Sequence, residues 1–324
     1  MKFSVRLLLF IVVLSFTSLV FAGDTIPKVA WKRGIGEPLE NPGGRKPALA
    51  PSGMIDDGYW QGAPVGGFGS GTFSRTYRGD FARWHIKGGV HKYQTVWANQ
   101  FALFEKSQDG EPVAQVLTAG HPDGNQLSTW KWDYPVGAGD YYSLYPKSWY
   151  DYRWEKFPAH VTLEQFSPVL PNNYRESSYP VAVYRWHAEN PTDKPVTVSI
   201  LVSWTNMLGW FRDFQHDMSG AINIGNHNRF VDESAVGGHV KGIVFDRVRP
   251  KGVVEDDWDG QWAIASVQSP GVDISYQTTF VPFGGEEVWK AFSKDGRLAN
   301  DNTSWISSDE PLAAAIAIRF TLQP

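Results

Sequence analysis

Along VTVSILVSW (196–204), Val196, Val198, Ile200, Val202 and Trp204 fall on one face of an extended chain, and Thr197, Ser199 and Ser203 fall on the other. Leu201 is the apolar exception. Successive strand side chains point to opposite faces, so this two-residue period predicts a half-buried strand. AAAIAIRFTL (313–322) repeats it, with Ile316, Ile318, Phe320 and Leu322 alternating with Ala315, Ala317, Arg319 and Thr321. Shorter versions occur in HVTLEQF, YPVAVYRWHA, GIVFD, QWAIASV and VDISYQTTF. Turn-forming clusters such as ENPTDKP (189–195) and FEKSQDGEP (104–112) bound many of them, which is how antiparallel hairpins are punctuated. Helical spacing is scarce; WKAFSKDGRL (289–298) allows two turns. The pattern predicts an all-β protein, a large two-sheet antiparallel β-sandwich. No fixed-period repeat supports a propeller or solenoid.

The ends of the chain read differently. Lys2 and Arg6 precede an apolar run from Leu7 to Phe21, and small residues Val20 and Ala22 stand at the −3 and −1 positions of a cleavage site. Residues 1–22 therefore read as a signal peptide cut after Ala22, and the mature chain as secreted or periplasmic. A membrane anchor is the alternative, but the run is shorter than the roughly 20 residues that span a bilayer, and Gly23 and Asp24 follow at once. No later segment is apolar for long enough to span. Residues 23–60 carry Pro27, Pro38, Pro42, Pro47 and Pro51 without strand alternation, a lead-in that crosses a surface. Residues 61–324 form the sandwich domain.

Composition narrows the function. The net charge is −4 and no basic run stands out, against a nucleic-acid partner, whose binding rests on phosphate neutralisation. The absence of cysteine removes disulfides, thiol nucleophiles and Cys-ligated zinc. Aromatic residues are abundant, with 15 Trp, 13 Tyr and 19 Phe. They suit a thick sandwich core and a sugar-stacking surface alike.

The richest candidate stretch is GAPVGGFGSGTFSRTYRGDFARWHI (62–86). Its GFGSG core lacks the flanking strand and helix of a dinucleotide loop, so the glycines read as a bulge or a close backbone approach. On a strand without a bulge, Phe73, Arg75, Tyr77, Phe81 and Arg83 share a face, and Asp80 is placed to accept a bidentate contact from Arg78 or Arg83. A structural ion pair and a ligand-facing or interface role both fit. His85 and His91 lack zinc-ligand spacing and read as satisfied core or surface histidines. Asp213, His216, Asp217 and His227 match no standard metal site, and EDDWDG (255–260) reads as an acidic turn. Asn302-Thr303-Ser304 is a glycosylation sequon, meaningful only in a eukaryotic secretory host. No nucleophile elbow is present, and no carboxylate pair among the 34 acids is singled out. No metal and no cofactor is expected.

Residues 64–104, PVGGFGSGTFSRTYRGDFARWHIKGGVHKYQTVWANQFALF, resemble the N-terminal domain of the bile-acid β-glucosidase or non-lysosomal glucosylceramidase family, glycoside hydrolase family 116. LYPKSWYDY, FSPVLPNNYRESSYPVAVYRW, VSWTNMLGW and VWKAFSKDGRL extend the likeness from about Trp60 to the end. The resemblance implies a supersandwich-like domain, C-terminally truncated and lacking the family's (α/α)6 barrel. In that family the barrel carries the nucleophile and the acid/base of a retaining β-glycosidase. It implies no catalytic residue here. Arg75, Arg78, Asp80, Arg83, Trp84, His91, Asn99 and Gln100 become candidates for the substrate rim or the interface with a catalytic barrel. The implied function is a non-catalytic sandwich of a secreted β-glucosidase, inactive alone, with a β-glucoside reached through its partner barrel. The alternatives are a free-standing secreted carbohydrate-binding sandwich and a complete small glycosidase.

Overall fold

A computed structural model of the chain describes the backbone of residues 9–15 and residues 26–38, 62–210, 222–235, 238–248 and 260–324. In chain order the strands are β1 (Leu9–Ser15), β2 (Trp31–Gly34), β3 (Pro64–Val65), β4 (Thr72–Arg75), β5 (Phe81–Lys87), β6 (Val90–Tyr93), β7 (Gln100–Ser107), β8 (Val113–Val116) and β9 (Gly139–Leu144). Then come β10 (Lys147–Tyr152), β11 (His160–Phe166), helix α1 (Tyr174–Ser177), β12 (Val181–Glu189), β13 (Val196–Thr205) and β14 (Asn226–Ala235). β15 (Gly238–Arg247), β16 (Gln261–Val267), β17 (Asp273–Phe280), helix α2 (Glu286–Asp295) and β18 (Ala313–Leu322) complete the series.

The all-β expectation holds. Nine strands form one sheet in the order β14-β15-β16-β1-β12-β11-β10-β9-β2, and five form a second, β17-β18-β13-β7-β8. Their inner faces meet where Phe101 of β7 lies 5.0 Å from Tyr184 and 5.2 Å from Trp186, both on β12. A small third sheet, β3-β4-β5-β6, closes one end of the sandwich. Its Phe73, Phe81 and Trp84 pack on Trp204 of β13 at 5.6, 5.0 and 6.0 Å. Full burial of each such ring contributes roughly 1.5–3 kcal/mol, so this aromatic junction dominates the core.

β13 shows what alternation alone misses. It pairs with β18 from Val196↔Leu322 to Thr205↔Ala313, and with β7 on its other side. Val198, Ile200, Val202 and Trp204 face the aromatic core as expected, but Ser199, Leu201 and Ser203 are buried too. A second core covers that face: Phe104, Leu201, Ala315 and Ala317 pack under Trp130, Trp289 and Phe292. Serine and alanine at these positions let α2 lie close. Its C-cap Gly296 has φ +75°, and a Cβ there would stand 2.8 Å from Phe104 and 2.9 Å from Ser199.

Part of the lead-in is also a strand. β2 pairs antiparallel with β9 at the sheet edge, and Ile35 behind it is fully buried. Four residues reading WKRG are too few to display a period. Within the apolar leader, β1 pairs parallel with both β12 and β16, whereas every other pairing between the described strands is antiparallel. The other residues of the expected signal peptide, 1–8 and 16–22, lie outside the described residues, as do 23–25 and 39–60 of the lead-in and residue 61. No helix among the described residues is long and apolar enough to cross a membrane.

The position of β1 makes leader removal a structural event. A chain beginning at Gly23 leaves β12 and β16 each short of one ladder of hydrogen bonds. Amide exchange followed by mass spectrometry is expected to be faster in those two strands than in the full-length chain. Equal protection in both chains would show that β1 contributes nothing to the sheet.

Candidate functional site

The glycine-rich stretch resolves into close backbone approach. Gly66 N donates to Ser167 Oγ at 2.6 Å, Phe68 N to Ser177 O at 2.8 Å, and Ser70 Oγ to Ser178 O at 2.7 Å. A Cβ on Gly67 would sit 2.4 Å from Ser178 O. The run is stitched to α1, and no phosphate cradle is formed.

After β4 the chain turns sharply. Thr76 N bonds Asp80 O and Gly79 N bonds Thr76 O, both at 2.8 Å. Gly79 has φ +96°, and a Cβ there would lie 2.1 Å from Leu117 O, so only glycine fits. The pairing of β4 with β5 shifts register between Ser74 and Arg75, which breaks the shared face expected for Arg75 and Arg83. Arg75 turns inward and is fully buried. Its Nε donates to Gly79 O at 2.7 Å, Nη1 to Tyr152 Oη at 2.9 Å and Nη2 to Leu117 O at 2.8 Å. The guanidinium also lies 4.3 Å from the Tyr150 ring centroid and 5.2 Å from that of Phe101. Carbonyl dipoles and π faces offset a buried cation, and they bind the small sheet to β10.

Asp80 is buried as well. Its carboxylate accepts from the hydroxyls of Thr76 and Thr95, the latter at 2.6 Å, rather than from Arg78 or Arg83. The segment after β6 is held in the same way. Gln94 N bonds Ala82 O at 2.8 Å, Val96 N bonds Phe81 O at 3.0 Å, and Trp84 Nε1 bonds Gln94 O at 2.9 Å. Asn99 Oδ1 accepts from Thr205 N at 2.7 Å while its Nδ2 faces Met207 Sδ at 3.2 Å. Gln100 Oε1 accepts from Thr118 Oγ1 at 2.6 Å. Arg78 is half-buried and lies beside Gly120 and Trp97.

Half-buried Arg83 donates through Nε to His85 Nε2 at 3.0 Å, and His85 Nδ1 meets Nδ1 of exposed His91. Burial, with Arg83 and His91 adding repulsion, pushes His85 down to about 4. At neutral pH His85 is therefore uncharged, accepts at Nε2 and carries its proton on Nδ1. Asp213, His216 and Asp217 lie outside the described residues, as does most of EDDWDG. Among the described residues no cluster of three or more His, Asp or Glu could hold a metal.

These contacts converge on a cleft of about 480 Å³. One wall runs from Tyr93 through Thr95 to Trp97, another is Thr205 and Trp210, and Gln126, Pro282, Phe283 and Pro311 close it. No acidic or basic side chain lines it among the described residues. None of the eight candidates lines it either, but Asp80, Trp84 and Asn99 bond directly to its walls. Sequence reasoning passed over Phe283. The available signal was an apolar residue between Pro282 and Gly284-Gly285, a turn setting in which 68% of its surface is exposed.

Other buried carboxylates do not line the cleft. Glu164 is paired with Lys147 at 2.6 Å and Arg185 at 3.0 Å. Glu105, on β7, accepts from Ala159 N at 2.7 Å through Oε2, while burial pushes its acid up to about 8. Glycoside hydrolysis requires two carboxylates across a sugar-sized gap, and the described residues lining the cleft include none.

The sheets and the helix-backed face define a large antiparallel β-sandwich module. Residues 62–324 match the family model described as beta-glucosidase 2, glycosyl-hydrolase family 116 N-term, and the chain belongs to that family. The match includes the whole 64–104 block, the small sheet and both walls of the cleft.

Glu105 yields a pH signature. Its folded value lies above the ordinary one, so the stability of the protonated acid is complete below the usual carboxylate range and is lost as pH rises toward about 8. Urea midpoints of the wild type are expected to fall over that window, and those of Glu105→Gln to stay flatter. Parallel curves for the two proteins would contradict the assignment.

Proposed function

We propose that this chain is the non-catalytic N-terminal sandwich of a secreted retaining β-glucosidase with glucosylceramidase-like chemistry. The sandwich packs on a helical catalytic barrel and shapes its pocket, and the reacting carboxylates lie outside residues 62–324. The observation that carries this reading is the family match to an N-terminal domain, supported by a cleft that no acidic side chain lines among the described residues. The basic n-region, apolar run and small-residue cleavage site at 20–22 support export to the periplasm or medium. Arg78 and Arg83, half-buried on the small sheet and the turn before it, are suited to contact the barrel because each keeps donors beyond those its own sheet uses.

The purified chain is expected to release no aryl alcohol from a p-nitrophenyl β-glucoside, and to support turnover when joined to its barrel. Arg78→Ala or Arg83→Ala should weaken that association without unfolding the sandwich. Hydrolysis by the chain alone, or turnover by the barrel that is indifferent to the sandwich, would refute the proposal.

A further inference from the structure

We propose that the cleft between Trp97 and Phe283 binds a neutral gluco-configured pyranoside of one or two rings. The inference is independent of how the sandwich meets a barrel. Its volume, about 480 Å³, falls within the roughly 300–1,000 Å³ of small-ligand sites. The lining combines flat rings (Tyr93, Trp97, Trp210 and Phe283) with neutral hydrogen-bonding side chains, chiefly Gln94 and Gln126. A pyranose with equatorial hydroxyls presents axial C–H groups on both ring faces. Those polarised hydrogens match the negative face of an aromatic ring. Its rim of hydroxyls both donates and accepts, as a glutamine amide does.

The same lining argues against other ligands. Without a charged lining residue among those described, the cleft offers no counter-charge to a phosphate or carboxylate, or to an ionised peptide anchor. The walls are also set in advance. Trp97 is fixed edge-on against Trp132 at 5.6 Å, and Thr95 and Gln94 are tied to Asp80 and Trp84. Preorganised aromatic surface of this kind loses little on binding. Phe283 is the exposed contributor, with 68% of its surface open. A bound sugar ring would supply the apolar contact that the fold does not.

The test uses the full chain, titrated with cellobiose and followed by tryptophan fluorescence and saturation-transfer NMR. Sorbitol, an acyclic polyol, and glucose 1-phosphate, an anion, serve as controls. Saturable cellobiose binding is expected, with both controls at least about tenfold weaker. Phe283→Ala and Gln126→Ala should each weaken it by about fivefold or more while circular dichroism is unchanged, since neither side chain belongs to the buried core. No saturable binding, equal affinity for sorbitol, or indifference to both substitutions overturns the proposal. Occlusion of Phe283 by a barrel segment without any saccharide binding would assign the cleft to protein docking and overturn it too. In each of these cases the family membership and the scaffold role are untouched.

Discussion

The architecture turns on one buried guanidinium. Among the described residues Arg75 has no carboxylate partner; two carbonyls, a tyrosine hydroxyl and three ring faces take its place. Burying an ion costs several kcal/mol even after relaxation. The cost is met because the surrounding aromatic junction buries so much apolar surface, and because each of the three guanidinium nitrogens donates to an acceptor at 2.7–2.9 Å. What results is a rigid joint between the small sheet and β10. The turn from Thr76 to Asp80 hangs from that joint, and through Asp80, Phe81 and Trp84 it sets the position of residues 94–96. The cleft wall is thus a consequence of core packing rather than of loop chemistry.

The two faces of the five-stranded sheet divide the labour. The inner face is aromatic and meets the large sheet, which gives the domain its mass of buried area. The outer face is built from small residues so that α2 can approach. That helix follows directly on the turn bearing Phe283, so the packing that buries Phe292 also places the cleft's exposed ring. Leu127 N donates to Pro282 O at 3.1 Å, which joins the Gln126 side of the cleft to the same turn.

Strand periodicity was legible in β11, β12, β13, β15, β16, β17 and β18, which lie where alternation placed them, but not in β7 or β10, whose rings meet the same aromatic core. The burial of Ser199 and Ser203 was not, because the layer that covers them comes from α2, about ninety positions downstream. Glycine bounded by charged and aromatic residues was a sound pointer to a turn under strain, yet the fate of its charges depended on a single register shift at Arg75. Without that shift Arg75 and Arg83 would share a face; with it, one is sealed in the core and the other turns to His85. The cleft was invisible for a different reason. Its walls come from segments near 95, 126, 208, 283 and 311, and no local pattern reports that they meet. Asp80 and Asn99 were found as notable residues, but as supports of the site and not as its surface.

The account rests on Arg75 as the joint that fixes both the small sheet and the cleft wall. Arg75→Met keeps the apolar stem and removes the donors to Gly79, Leu117 and Tyr152. The decisive measurement is amide exchange on this variant, read together with its urea midpoint. A stability loss on the order of 3 kcal/mol is expected from the orphaned Leu117 carbonyl and Tyr152 hydroxyl, since Gly79 O keeps its bond from Thr118 Oγ1, with protection lost in residues 94–96 as well as in β4 and β10. A variant as stable as the wild type, or one that loosens β4 while residues 94–96 stay fully protected, would contradict it.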